Sequence, residues 1–218
     1  MSRASSTDER VRAAAVALFA AKGFHGTGIR ELADAAGLSS ATLYHYMGTK
    51  EDLLVELMRT SLDRLVRAAR QIVDEAPSPV AALNGLVQTH VVTHALRQAE
   101  TLVVDTELRS LSPEHRSPIV AQRDEYEHLW RSVLEEGRVS GAFHLTNPSV
   151  ARLALLQMCS GVSNWYSSQG AYGLTQIAQE HARMSLTMLG AEPGLDLPTT
   201  DHYIRLVAGI WGHQSGLD

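Results

Sequence analysis

Residues 40–46 read Ser-Ala-Thr-Leu-Tyr-His-Tyr. Within seven positions stand two hydroxyls, two phenols and an imidazole, and no carboxylate. Such a set can donate hydrogen bonds to phosphate oxygens or base edges and does not repel a polyanion. A second candidate set is His90 and His94, one helical turn apart. That spacing can present two imidazoles to one metal ion, with Asp105 and Glu107 available as further ligands. No HExxH pattern accompanies them, so the metal signal is weak and no metal or cofactor is expected. Ser160, Ser163 and the other histidines form no recognisable nucleophilic triad, and there is no glycine-rich phosphate loop. An enzyme is poorly supported.

The elements that would position residues 40–46 are legible in the flanking sequence. Leu32, Ala33 and Ala36 fall at i, i+1 and i+4, one face of a short helix. Gly37 follows, where a left-handed backbone can end that helix and turn the chain. Ser39 and Ser40 come next, and either hydroxyl can cap a new helix. Leu43 and Met47, spaced i, i+4, give that helix a buried side and leave Ser40, Thr42, Tyr44, His45 and Tyr46 exposed. The arrangement is a helix-turn-helix. Spacing alone leaves two readings open, a helical hairpin inside an all-α core and a helix pair built to enter a DNA groove.

A resemblance carried by particular residues favours the second. The stretch Leu32-Ala33-Asp34-Ala35-Ala36-Gly37-Leu38-Ser39, then Thr42-Leu43-Tyr44-His45-Tyr46, then Thr49-Lys50-Glu51-Asp52-Leu53 resembles the N-terminal domain of the TetR family of bacterial repressors. Two positions depart from that family's pattern. Met47 stands for an aromatic, and Gly28 stands where Thr or Ser often starts the helix, leaving Thr27 as the substitute. The resemblance implies an all-α fold, with a DNA-binding domain over 1–52 and a ligand-binding and dimerisation domain over 53–218. It implies that Arg30, Ser40, Thr42 and His45 lie at or near the bases. Thr27, Tyr44, Tyr46 and Lys50 would hold phosphates, with Ser39 at the head of the recognition helix.

Composition is compatible with this. The 218 residues are 44% hydrophobic, enough for a sizeable core, and rich in helix formers. The net charge is −5, yet residues 1–50 carry six basic and four acidic side chains, a modestly basic head on an acidic remainder. The lone Cys159 lies in an apolar run, which argues against disulfides and fits a reducing cytosol. No signal-peptide core is evident near the start, and no run approaches the ~20 apolar residues that span a bilayer, so a cytoplasmic protein without membrane contact is expected.

Taken in order, the chain predicts a helix over 7–22, capped by Thr7 and ended by Gly23, with Phe24 packed on Phe19. A helix over 50–75 follows, its apolar period sustained for seven turns. Helices over 80–97 and 99–111 come next, then a joint at Pro113 and Pro118 and a long helix, 114–139. Helices at 148–167 and 174–189 precede a linker at Pro193, Gly194 and Pro198, and a short helix after Thr199 and Thr200 closes the chain. From Leu153 to Gln179 there is no charged side chain, and helix 148–167 lacks a polar face. Such a helix is covered on two sides, most simply by its own core and by a second copy. The TetR resemblance places a homodimer interface on helices 148–167 and 174–189, and a two-fold dimer predicts a palindromic operator on double-stranded DNA.

The resemblance also implies a small-molecule effector held in the body. Candidate wall residues are His90, His94, Arg109, Tyr126, Trp130, Trp165 and Tyr166. The order Arg123, Trp130, Glu135-Glu136-Gly137, Phe143, then Trp165-Tyr166 and Gly173-Leu174-Thr175 is similar to a TetR branch that senses acyl-CoA thioesters. Two other functions compete, a metal carrier or enzyme built on His90 and His94, and a helical module whose head binds protein.

Overall fold

The computed structural model describes residues 6–191 and 197–212. Their elements are α1 (Thr7–Gly26), α2 (Ile29–Ala36), α3 (Ser40–Met47), α4 (Lys50–Glu75), α5 (Pro79–Leu96) and α6 (Gln98–Thr106). A 3₁₀ turn (Glu107–Ser110) follows, then α7 (Pro113–Ser140), α8 (Pro148–Ser160), α9 (Val162–Trp165), α10 (Leu174–Met188) and α11 (Thr200–Trp211). No strand occurs among the described residues, as expected for an all-α chain. Contacts divide the chain into two compact units, one reaching Leu62 and including Ala99–Gln122, the other made of Asp63–Gln98 and the chain from Arg123.

In the first unit α1 starts one residue earlier than the sequence suggests. The Ser6 hydroxyl accepts from the Glu9 N–H at 3.2 Å, and the Glu9 carboxylate accepts from the Ser6 N–H at 2.7 Å. This reciprocal pair satisfies two end groups at once, so Ser6 is the cap and Thr7 is the first helical residue. Gly23 breaks the helix at φ 74°, a region a glycine enters without strain. The rings of Phe19 and Phe24 meet at 5.5 Å between centroids. Together with Ala15, Leu32 and Leu43, all nearly inaccessible, Phe19 forms the core on which α1, α2 and α3 rest.

The second unit is built around α5, in which every residue from Ala81 to Ala95 is buried. It packs most extensively on α10, then on α11 and α8. Several polar residues inside it bond to one another: Gln88 Nε2 donates to Asn84 Oδ1 at 3.1 Å, and Asn84 Nδ2 donates to the Tyr203 hydroxyl at 3.2 Å. Thr200 is part of this interior. Its hydroxyl donates to Gln88 Oε1 at 2.6 Å, and Thr199, at the capping position, makes no capping bond through its side chain.

Other boundaries also move. The expected helix 99–111 ends as α6 and tightens into the 3₁₀ turn. Pro118 sits within α7 rather than at a joint, early enough that it removes a single backbone donor from the second turn. The expected helix 148–167 divides at Gly161 into α8 and α9. Pro193 and Gly194 of the expected linker lie outside the described residues. No helix among the described residues is long and apolar enough to cross a membrane.

Candidate nucleic-acid interface

α2 ends at Gly37, whose left-handed backbone (φ 67°, ψ 39°) lets its N–H reach back to the carbonyls of Ala33 and Asp34. The chain turns there and α3 begins at once, capped by Ser39, whose Oγ accepts from the Thr42 N–H at 3.1 Å. Of the two candidate serines, Ser39 is therefore the cap and Ser40 the first residue of the helix. Leu43 and Met47 are buried and fix the rotation of α3 on its support. That rotation turns Thr42, Tyr44, His45 and Tyr46 outward, with Tyr44 51% and Tyr46 45% exposed. Large aromatic rings are left in solvent here while the same helix hides two smaller apolar residues. The rings of His45 and Tyr46 meet edge to face at 5.5 Å. Arg30 is exposed on α2.

Two members of the expected set have other employment. The Thr27 side chain is buried, and its hydroxyl donates to the Gly23 carbonyl at 2.9 Å, closing the end of α1. Lys50 is half-buried, and its ammonium donates to the carbonyls of Phe24 and Thr27, each at 2.8 Å. It also lies 4.4 Å above the Phe24 ring. A cation at carbonyls that end a helix is favoured by both hydrogen bonding and charge. Nothing in the local sequence announces this clasp, because its partners lie more than twenty residues upstream.

The start of α4 is fixed by a second reciprocal cap, in which the Asp52 carboxylate accepts from the Thr49 N–H at 2.9 Å and the Thr49 hydroxyl accepts from the Asp52 N–H at 3.0 Å. Glu51 accepts from the Ser112 N–H at 2.7 Å, and His115 Nδ1 lies 3.0 Å from Glu51 Oε1. Bonds from Ser112 and His115 hold the Glu51 carboxyl below its ordinary range. Pairing with Glu51 in turn raises the His115 imidazole, with the charges of Glu51, Glu114 and Asp52 adding to it. These bonds join the first turn of α7 to the first turn of α4.

In the second unit the candidate effector residues fall into separate places. His90, His94, Tyr126 and Trp130 are buried together. The two imidazoles stack at 3.9 Å, and the His90 ring meets the Trp130 ring edge to face at 5.7 Å. His90 Nδ1 is 2.8 Å from the Tyr126 hydroxyl and Nε2 is 2.9 Å from Ser160 Oγ. The His94 Nδ1–H donates to the His90 carbonyl at 2.9 Å. Both nitrogens of His90 are thus engaged, and burial, followed by the neighbouring His94, pushes its pKa well down, so it is neutral. The geometry is that of a polar relay rather than a metal clamp. Trp130 Nε1–H is fully buried with no acceptor among the described residues, a donor left open inside this cluster. Trp165, by contrast, is 54% exposed and stacks on His181. Tyr166 is half-buried, and its carbonyl accepts from Gln98 Nε2 at 2.8 Å. Arg109 is exposed on the 3₁₀ turn of the first unit. Ser160, seventy residues from His90, was not recoverable from spacing.

α8 and α10 leave apolar side chains in solvent: Val150 and Leu153 on the first, Met184 and Met188 on the second. Val150 and Leu153 thus give α8 an apolar side in solvent.

Residues 11–57 match the family described as bacterial regulatory proteins, tetR family, and residues 76–189 match the tetracyclin repressor-like C-terminal domain. The chain is similar to the HTH-type transcriptional repressor KstR2 of Mycolicibacterium smegmatis, 31% identical over 185 residues, which cover 84% of this chain and 90% of that protein. Among solved structures it is similar to a bacterial regulatory protein of the tetR family from Rhodococcus RHA1, with 31% identity and a TM-score of 0.79, covering 86% of this chain and 99% of that one. It is also similar to the ketosteroid transcriptional regulator KstR2 of Mycobacterium tuberculosis, with 26% identity and a TM-score of 0.79, covering 86% and 96%.

Proposed function

Because the chain belongs to the TetR family of bacterial regulators, we propose that it is a cytoplasmic repressor that binds a palindromic operator as a homodimer and is released by a hydrophobic small molecule. The protein is a DNA-binding transcriptional regulator and not an enzyme. The observation that carries the DNA reading is α3, which buries Leu43 and Met47 and turns Thr42, Tyr44, His45 and Tyr46 to solvent without a carboxylate among them. In a major groove Thr42 and His45, with Arg30 and Ser40 beside them, meet base edges, and Tyr44 and Tyr46 hold phosphates. Ser39, Thr27 and Lys50 keep the two helices in place, through a cap, a helix end and a clasp. Residues 1–52 form the DNA-binding part and 53–218 the ligand-binding and dimerising part.

The homodimer is supported by exposed Val150, Leu153, Met184 and Met188 on α8 and α10, side chains that a second copy would cover. A two-fold dimer sets its recognition helices about 34 Å apart, one turn of B-DNA. The His90 cluster, with its open Trp130 donor, is the proposed effector contact. The effector is taken to be an acyl-CoA or another lipid-like molecule, in keeping with a relative named for ketosteroids. An effector that fits only the DNA-incompetent shape lowers DNA affinity by linkage.

The test is operator binding at controlled salt by Tyr44→Ala and His45→Ala, beside Leu153→Glu, whose mass is followed by sedimentation. Loss of affinity in the first two and a monomer in the third is the expected result. Unchanged affinity in both α3 variants contradicts the assignment of the interface.

A further inference from the structure

We propose that the second unit holds a small-molecule site between α4, α5 and α11, distinct from the His90 cluster, that takes an uncharged lipophilic molecule bearing a hydrogen-bond acceptor. A cavity of about 460 Å³ lies there, walled by Ile72 of α4, Ala81 of α5, and Tyr203 and Leu206 of α11. Its volume falls within the ordinary range for ligand pockets. The lining is chiefly apolar, and besides the Tyr203 phenol its ionisable groups are Glu75 and His202. Glu75 disfavours an anion, and an apolar wall disfavours any charge that is not paired.

Two of the lining residues meet tightly at Gly85 of α5. A Cβ on Gly85 would lie 2.7 Å from Ile72 Cγ2 and 3.2 Å from the Tyr203 ring and hydroxyl. Glycine at that position lets Ile72 of α4 and Tyr203 of α11, both residues of the cavity wall, close onto α5, so the wall is not loosely packed there.

The polar feature is Tyr203, 3% exposed. With the side-chain amides oriented as in the structure, each bond in the buried chain runs the same way. Thr200 donates to Gln88, Gln88 to Asn84, and Asn84 to the Tyr203 oxygen. The row ends at Tyr203, whose own proton no described residue accepts. Burial raises the phenol, with the Asn84 bond opposing, so it stays protonated at neutral pH and remains a donor. A buried donor without an acceptor is costly, and a ketone, ester or amide oxygen from a ligand removes that cost.

The test uses the full chain without DNA and the fluorescent ketone 6-propionyl-2-(dimethylamino)naphthalene, whose emission reports both polarity and hydrogen bonding to its carbonyl. The expected result is saturable binding of one molecule per chain with blue-shifted emission. Leu206→Trp, or Ala76→Met from the α4 side, fills the space and abolishes it. Tyr203→Phe keeps the shape, weakens binding about threefold to tenfold, and moves the bound emission further to the blue. Circular dichroism shows whether each variant is folded. Absence of saturable binding overturns the proposal. Binding of equal strength and colour in wild type, Leu206→Trp and Tyr203→Phe also overturns it, because the probe then sits elsewhere.

Discussion

Replacing Lys50 by methionine keeps the length and apolar stem of the side chain and deletes the ammonium. Lys50 then loses two bonds, to the carbonyls of Phe24 and Thr27, and its position over the Phe24 ring. Charged hydrogen bonds contribute about 1.5–3 kcal/mol each, and an exposed cation–π contact about 0.5–1 kcal/mol. Lys50 is only half-buried, and the Phe24 carbonyl keeps a partner in the Thr27 N–H at 3.3 Å. Solvent screening and the remaining partner bring the loss below the sum of these figures, to about 2 kcal/mol, which in a chain of this size lowers the melting temperature by about 4–8 °C. The effect on DNA binding separates two roles for the residue. Each phosphate held by a lysine adds about 0.9 to the slope of log K against log salt. If Lys50 works as a clasp, Lys50→Met lowers affinity and stability and leaves that slope as in wild type. The assay is fluorescence anisotropy on an operator duplex from 50 to about 300 mM salt, beside a thermal melt. A slope reduced by about 0.9 with an unchanged melt refutes the clasp and restores Lys50 to the phosphates.

Three further outcomes follow from particular contacts. His115 is raised in the folded chain by Glu51, so its contribution to stability is fully present below the unfolded imidazole value, about 6.5, and is lost as pH rises through the folded value; His115→Gln should flatten the fall in melting temperature between pH 6 and 8, and an equally steep fall would show that the pair is not responsible. Gly137→Ala places a Cβ 1.9 Å from the Phe143 ring, which is itself buried, so overpacking should cost about 1–3 kcal/mol in urea unfolding; wild-type stability would contradict that packing. Cys159 is inaccessible, and burial pushes its thiol up to about 12, so a disulfide reagent should fail to modify the native chain at pH 8 and react at once in urea; rapid native modification would show that α8 opens.

The parts of the fold legible in the sequence are those set by neighbours along the chain. Gly37, Leu43 and Met47 define the turn and the rotation of α3 because a left-handed glycine and an i, i+4 apolar pair act locally. The same logic finds the break at Gly23 and the contact of Phe19 with Phe24. It fails where two residues offer the same local chemistry. Ser6 and Thr7 are both hydroxyls, and only the reciprocal bond with Glu9 favours the first. Thr200 reads as a cap, yet its hydroxyl meets Gln88 across more than a hundred residues. The Lys50 clasp and the Tyr126–His90–Ser160 relay are also long-range, made by side chains that no periodicity brings together. Residue type alone groups Arg109, Trp165 and Tyr166 with His90, His94, Tyr126 and Trp130, and type does not determine which side of a helix faces inward.

On the proposed function α3, with Thr42, Tyr44, His45 and Tyr46 outward, reads duplex DNA from a two-fold dimer. In-vitro selection with the purified chain and a library of random duplexes tests it most directly. The expected result is enrichment of an inverted repeat with half-sites one helical turn apart, to which Tyr44→Ala and His45→Ala bind weakly. Failure to enrich any sequence, or an enriched site bound equally well by both variants, would contradict it.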